Sequence, residues 1–274
     1  MDALPPSPPP SQPVCAEVLG APIHIVDVEE VLRLMEQWIK ERGRPRWIAV
    51  TGSHGVLEAH KRADFREILW SADLSIPDGM WAARVAAKKM SIPTKQVRGA
   101  DLLEAFCKIS SREGLSSFFY GDTQNTLEVA RDKLSQTFPG LKIVGIYSPP
   151  FRELTPDEDA QIVDMINQAN PDVLWVALGL PKQERWIVAH LGLLKVPVIV
   201  AIGAAIKFHS GKVKPAPRWA SRAGFEWLWR FFHEPRRTWR RAFVYGPQFA
   251  ALCLWDLARS KRRGQGKDRT LAVK

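Results

Sequence analysis

Four short stretches of the chain set glycine or proline beside residues able to hold an anion or move a proton. Each falls where an apolar run gives way to a helical pattern. "AVTGSHG" offers the hydroxyls of Thr51 and Ser53 beside Gly52 and Gly55. Backbone amides at such a turn hold anions, and a hydroxyl there equally caps the helix. "LSIPDGMW" fixes Asp78 between Pro77 and Gly79, as a helix cap or as a general base. With no His or Cys nearby in sequence, its chemistry would be acid–base rather than nucleophilic. "FFYGDTQNT" has Gly121 and Asp122 ahead of a helix. It reads either as a plain turn or as a nucleotide turn, with Asp122 toward a ribose hydroxyl or the helix N-terminus toward a phosphate. "ALGLPKQERW" puts Gln183 and Glu184 in the first turn of a helix opened by Pro181, pointing toward the crevice rather than along a solvent face. The amide can read a nucleobase or sugar hydroxyl; the carboxylate joins it or merely complements the helix dipole.

These stretches need a scaffold that brings them together. Between them the chain alternates strand and helix: "RWIAVTG", "DLSIPDG", "SSFFYG", "LKIVGIYS", "DVLWVALG" and "VPVIVAIG" read as strands, separated by helical segments. Among the helices, "ADLLEAFCKISSREG" is stopped by Gly114, and "TPDEDAQIVDMINQA" has Thr155 as N-cap and an acidic first turn. "DVLWVALG" and "VPVIVAIG" are continuous apolar runs, suited to strands covered on both faces. The alternation predicts an α/β sheet wound with helices, in which ligands bind outside the carboxyl ends of the strands. All four stretches sit at such ends.

From "HSGKVKPAPRW" onward the pattern becomes a loop and then helical segments rich in Arg and Trp. The expected organisation is a proline-rich tail over 1–13, an α/β domain over 14–206 and a basic helical appendage over 207–274. Six of the first thirteen residues are proline, and no basic and apolar leader precedes them, so no secretory signal is read there. No apolar run approaches the length of about 18 residues that spans a membrane. Three well-separated cysteines without a CxxC fit a reducing compartment and argue against a zinc site.

Charge is unevenly spread. From Lys207 onward there are 17 Lys and Arg against 4 acids, whereas the preceding residues hold 22 against 25. The formal charge of +10 therefore resides in the last quarter of the chain, which also holds five of the 11 tryptophans. Such an end seeks phosphates, nucleic acid or an anionic membrane. Arg230, Arg236, Arg237, Arg240 and Arg241 alternate with Trp and Phe, and guanidinium forks suit phosphate oxygens. "FAALCLW" followed by "ARSKRR" reads as an interfacial segment with a snorkelling basic end.

In order along the chain, "IPDG", "VRGADLL", "FYGDT", "PGLKIVG", "GLPKQERW", "AIGAAIKFHSGKVKPAPRW" and "EWLWRFFHEPRR" resemble the WecG/TagA/CpsF family of bacterial glycosyltransferases, over roughly residues 18–245. The resemblance implies a Rossmann-like α/β domain with an appendage that completes the active site and helps attach it to the inner face of the cell membrane. It implies inverting transfer of a hexose or N-acetylhexosamine-type sugar from a UDP-sugar to a polyprenyl-diphosphate-linked saccharide, in exopolysaccharide or cell-envelope synthesis. No cofactor or metal is implied, and homo-oligomerisation is left open. Residue by residue, the resemblance makes Asp78 the base, sets Arg98 and Gln183 in the pocket, and matches Arg230, Arg237 and Arg240 to arginines that meet the diphosphate. Where the family often carries Thr-x-Asn, this chain has Thr51-Gly52-Ser53. The donor sugar is therefore open.

Other readings explain less. A nicotinamide oxidoreductase wants GxGxxG, and "ALGLPK" fails at the first and third glycines. A nucleic-acid-binding or membrane-scaffold protein would use the same basic end but leaves Asp78, Gln183 and the strand-end turns without purpose. No nucleic-acid partner is expected.

Overall fold

The computed structural model of the protein describes residues 13–213, 216–217, 220, 226–233, 239, 243 and 245–271. A hairpin of β1 (Cys15–Val18) and β2 (Ala21–His24) precedes α1 (Val28–Glu41) and β3 (Arg46–Thr51). Next come α2 (Ser53–Lys61), α3 (Ala63–Trp70), β4 (Leu74–Pro77), α4 (Met80–Met90), α5 (Gly99–Glu113) and β5 (Ser116–Gly121). The body continues with α6 (Gln124–Thr137), β6 (Lys142–Tyr147), α7 (Pro156–Ala169), β7 (Val173–Ala177), α8 (Lys182–His190), β8 (Val198–Ala201) and α9 (Ala205–Ser210). Helices α10 (Glu226–His233) and α11 (Gly246–Leu271) follow.

Six strands form one parallel sheet in the order β4-β3-β8-β7-β5-β6. The apolar runs predicted to be covered on both sides are the central β7 and β8, every residue of which is buried. Their alternating side chains feed two cores. Leu174, Val176, Ile199 and Ala201 face α2, α3, α4, α7 and α8, whereas Val173, Trp175, Val198 and Val200 face α1, α5, α6 and α9. This is the helix-wound α/β sheet that the alternation predicts. Two fully buried core tryptophans carry satisfied polar atoms: Trp175 Nε1 donates to Ser117 Oγ at 3.1 Å and Trp47 Nε1 to the Ser71 carbonyl at 3.0 Å.

Local sequence sets the helix ends. Thr155 caps α7 in a reciprocal box with Glu158, and Gly114 ends α5 in the left-handed region at φ 72°. The β1–β2 hairpin is not read from the sequence. It packs beside the edge strand β4, where His24 Nδ1 accepts the Ser75 N–H at 2.9 Å. Burial depresses the His24 pKa below its ordinary value, against the opposing effect of the hydrogen bond to the Ser75 backbone.

Helix α9 runs through the expected boundary at 206/207, so His209 and Ser210 are helical where a loop is read. Gly211, at φ 78°, ends it, and Lys133 Nζ holds the Ser210 carbonyl at 3.0 Å. Helix α11 is anchored to the body by Phe249 and Cys253, both part of the core on the α2–α4 side. Lys89 Nζ meets Asp256 Oδ2 at 2.6 Å, and the Leu19 N–H donates to the same oxygen at 3.2 Å. Among the described residues, no helix is long and apolar enough to cross a membrane.

Candidate active site

A cavity of about 1140 Å³ runs along the carboxyl ends of the strands. It brings together Asp78, Arg98, Asp122 and Gln183, which are distant in sequence. From β4 to β5 there are four strand spacings, so the crevice is roughly 19 Å across. Such a length suits an extended, two-part ligand.

Asp78 leaves β4 at one end of it. Its N–H donates to the Thr51 carbonyl at 3.1 Å, and its own carbonyl accepts from Gln96 Nε2 at 2.5 Å. Oδ1 accepts the Gly99 N–H at 3.0 Å, at the start of α5. Oδ2 lies 3.6 Å from where a Cβ on Gly52 would stand. The glycine therefore leaves room beside the carboxylate, and the turn, the Gln96 amide and the helix N-terminus fix its direction. Asp78 itself does not cap a helix in its own segment: Gly79 is the N-cap of α4. Arg98 enters the cavity from the N-cap of α5, its guanidinium forked onto Asp101 by two hydrogen bonds of 2.7 Å.

At β5, Gly121 has φ 119° and Asp122 φ 49°. The Asp122 N–H extends the β5–β7 pairing by donating to the Ala177 carbonyl at 3.0 Å. Its carboxylate is largely occupied: Oδ1 accepts the Thr123 N–H at 2.8 Å and Oδ2 lies 3.3 Å from Lys207 Nζ. Asp122 lines the cavity, while Gly121 supplies the tight approach of the two strands.

Gln183 and Glu184 do not share one role. Both are buried, at 3% and 2% exposure, but only Gln183 lines the cavity. Gln183 Nε2 donates to Glu184 Oε1 at 2.8 Å and lies 3.4 Å from the Ala201 carbonyl. Gln183 Oε1 and Glu184 Oε2 are buried without a hydrogen-bond partner among the described residues. The reading of Glu184 as a residue pointing to the crevice is therefore corrected: it stands behind Gln183, because the helical turn that brings Gln183 to the cavity turns its neighbour into the core. An acceptor such as Gln183 Oε1 at a cavity wall is a place for a ligand donor.

Burial raises the Glu184 carboxyl from an ordinary 4.5 to about 7, against the opposing hydrogen bonds from Gln183 and from its own backbone N–H. The native state thus holds a proton that the unfolded chain has released, so stability falls as pH rises from about 4.5 to about 7. Glu184→Gln is expected to be more stable than wild type at pH 8 by roughly 2–3 kcal/mol, with the gap closing below pH 5. Urea unfolding at the two pH values checks this; a difference independent of pH would contradict it.

Thr51 and Ser53 do not line the cavity. Thr51 is buried, its hydroxyl 2.8 Å from Ser75 Oγ inside the sheet, and Ser53 is exposed as the first residue of α2, whose N-cap is Gly52. The cavity wall at this turn is instead formed by Gly52, His54 and Gly55. Arg230 lies on α10, but its side chain, and all of Arg237 and Arg240, fall outside the described residues.

Several cavity residues are missed by the sequence reading. Trp186 and Tyr120 form an aromatic wall with ring centroids 4.5 Å apart. Trp186 follows Gln183 by three positions, and that helical spacing was the available signal. Asp159 Oδ2 lies 2.7 Å from His190 Nε2, and His190 stacks under Trp186 at 4.3 Å, bracing this wall from behind. Lys207 sits beyond the β8 turn "AIGAAIK", a strand–glycine–helix stretch of the same kind as the other four. His54 stacks on Tyr245 at 5.7 Å, which brings the chain just before α11 to the rim. Three of the four Lys and Arg residues that line the cavity among the described residues come with carboxylates: Arg98 with Asp101, Lys207 with Asp122, and Arg152 with Glu158 at 2.6 Å; Lys182 is the fourth.

A parallel sheet wound with helices, carrying a long crevice and a fixed carboxylate at its carboxyl edge, is a ligand-binding α/β domain. Residues 16–263 match the model of the glycosyl transferase WecG/TagA/CpsF family; the chain belongs to that family and is a glycosyltransferase. It is similar to the N-acetylglucosaminyldiphosphoundecaprenol N-acetyl-beta-D-mannosaminyltransferase of Bacillus spizizenii, at 30% identity over 78% of this chain and 81% of the relative. The enzyme of the same name from Bacillus subtilis is 28% identical over 72% of this chain and 74% of the relative. That of Staphylococcus aureus is 24% identical over 73% and 74% respectively.

Proposed function

We propose that this glycosyltransferase moves a hexose or N-acetylhexosamine-type sugar from a UDP-sugar to a polyprenyl-diphosphate-linked saccharide, with inversion and without a metal ion, in the synthesis of a cell-envelope polysaccharide. The observation that carries the reading is that Asp78, after β4, and Gln183, on the helix after β7, line one crevice. The names of the relatives favour N-acetylmannosamine among donors and an N-acetylglucosaminyl lipid among acceptors. The enzyme then works on the cytoplasmic face of the membrane, attached peripherally.

Asp78 removes the proton from the acceptor hydroxyl as that oxygen attacks the anomeric carbon from the side opposite the leaving UDP. The nucleotide's base lies toward Tyr120 and Trp186, where a flat ring finds aromatic faces and the Gln183 amide a polar edge. The leaving diphosphate needs positive charge. Arg98, Arg152 and Lys207 are already shared with carboxylates, and Lys182 is outnumbered by the acids of the lining, so the body alone supplies little net positive charge there. The appendage arginines supply the rest. Tyr245 reaches the rim, and Arg240 precedes it in sequence by five residues.

Replacing Arg230, Arg237 and Arg240 together by Ala is expected to lower transfer by at least about 100-fold, since each charge-assisted hydrogen bond contributes about 1.5–3 kcal/mol. Initial rates in detergent with EDTA present test this. Turnover unchanged in the triple variant would remove these arginines from the mechanism.

A further inference from the structure

The helix after the Asp78 turn is built inside out. Residues 79–100 contain Arg84, Lys88, Lys89, Lys95 and Arg98 and no acid. Helix α4 turns its small side chains, Ala82, Ala83 and Ala86, into the core with Val85. Its large apolar group, Trp81, stays outside at 48% exposure. Arg84 and Lys88 are exposed three and seven positions on, along the same side of the helix. The Arg84 guanidinium stands 5.3 Å over the Trp81 ring. Helix α11, tied to α4 through Lys89 and Asp256, adds exposed Leu254 and Trp255.

We propose that this face of α4, with Trp81, Arg84 and Lys88 at its centre, is a docking surface for an anionic lipid bilayer, in addition to the basic C-terminal segment. A ring at headgroup depth with cations on stems beside it is the arrangement that binds such a surface. A second copy of this chain fits poorly, because a two-fold contact would set Arg84 and Lys88 against themselves. Nucleic acid would match the charge, and a response to duplex DNA distinguishes it from a bilayer. Helix α4 starts two residues after Asp78, so docking here brings the Asp78 end of the crevice to the bilayer. A lipid-linked acceptor would present its saccharide there. That consequence rests on the reading proposed above; the docking surface does not, and its test uses no sugar substrate.

The test measures partition of the full-length protein onto vesicles of phosphatidylcholine with about 30% phosphatidylglycerol. Trp81→Ser/Arg84→Glu/Lys88→Glu is expected to bind at least about tenfold more weakly than wild type. The control Lys108→Glu/Arg112→Glu, on exposed positions of α5 across the sheet, is expected to stay within about twofold. A polarity-sensitive label at Lys88→Cys should shift to the blue on vesicle addition, and one at Arg112→Cys should not; this readout does not depend on how well the triple variant folds. Unchanged partition of a folded triple variant, or a silent label at position 88, would overturn the proposal. So would a label response to duplex DNA alone, or self-association in sedimentation that the triple substitution abolishes.

Discussion

Asp78→Asn is expected to leave UDP binding within about twofold of wild type while lowering turnover by about 10²–10⁴, the range that general-base assistance contributes. The substitution keeps the shape of the side chain and an oxygen able to accept the Gly99 N–H, which Asp78 Oδ1 meets at 3.0 Å. The turn is also held from the backbone, by the bond to the Thr51 carbonyl and by Gln96. The variant therefore loses proton affinity and little else. Isothermal titration with UDP and initial rates with saturating acceptor separate the two effects. A variant that binds UDP and turns over at the wild-type rate would take Asp78 out of the chemistry. One that loses binding and turnover in equal measure would make it a positioning residue.

Gly121→Ala is expected to lower the melting temperature by about 5–15 °C and to abolish transfer. At φ 119° a side chain is strained whatever the space around it. Here the added Cβ would also stand 2.5 Å from the Ala177 carbonyl carbon and 2.7 Å from its oxygen. Those neighbours are backbone of β7 and cannot swing aside, so β5 must part from β7 and release the Asp122 N–H from Ala177. Strain and overpacking together cost roughly 2–5 kcal/mol, a large share of a typical 5–15 kcal/mol. Gly43→Ala, where no atom lies within 4 Å of the added Cβ, is the control and should melt as wild type does. A Gly121→Ala protein melting with the control would show that the sheet edge yields more easily than its geometry implies.

The period and length of apolar runs made the sheet legible: β7 and β8 are buried on both faces as their continuous Val, Ile and Leu runs require. Glycines and caps gave the helix ends, as at Gly114 and Thr155. The β1–β2 hairpin escaped because "CAEV" and "APIH" are too short for periodicity to distinguish, and their pairing rests on packing against β4 and α4. At the site, strand-end turns marked Asp78, Asp122 and Gln183 from composition alone. Direction within a turn was harder to read. Thr51 and Gly52 are adjacent, yet the hydroxyl goes into the sheet toward Ser75 and the glycine faces the cavity. Glu184 and Gln183 divide in the same way. One step in register moves a side chain from crevice to core, and no residue type announces which step is taken.

The central claim is the transfer itself. The most direct measurement offers a panel of UDP-sugars, UDP-N-acetylmannosamine among them, to an N-acetylglucosaminyl-diphosphate polyprenyl lipid in detergent, with EDTA throughout. The predicted result is transfer from one donor, yielding a β-linked disaccharide lipid, in full when the metal is chelated. Failure with every donor by a protein that binds neither UDP nor any UDP-sugar would contradict the account.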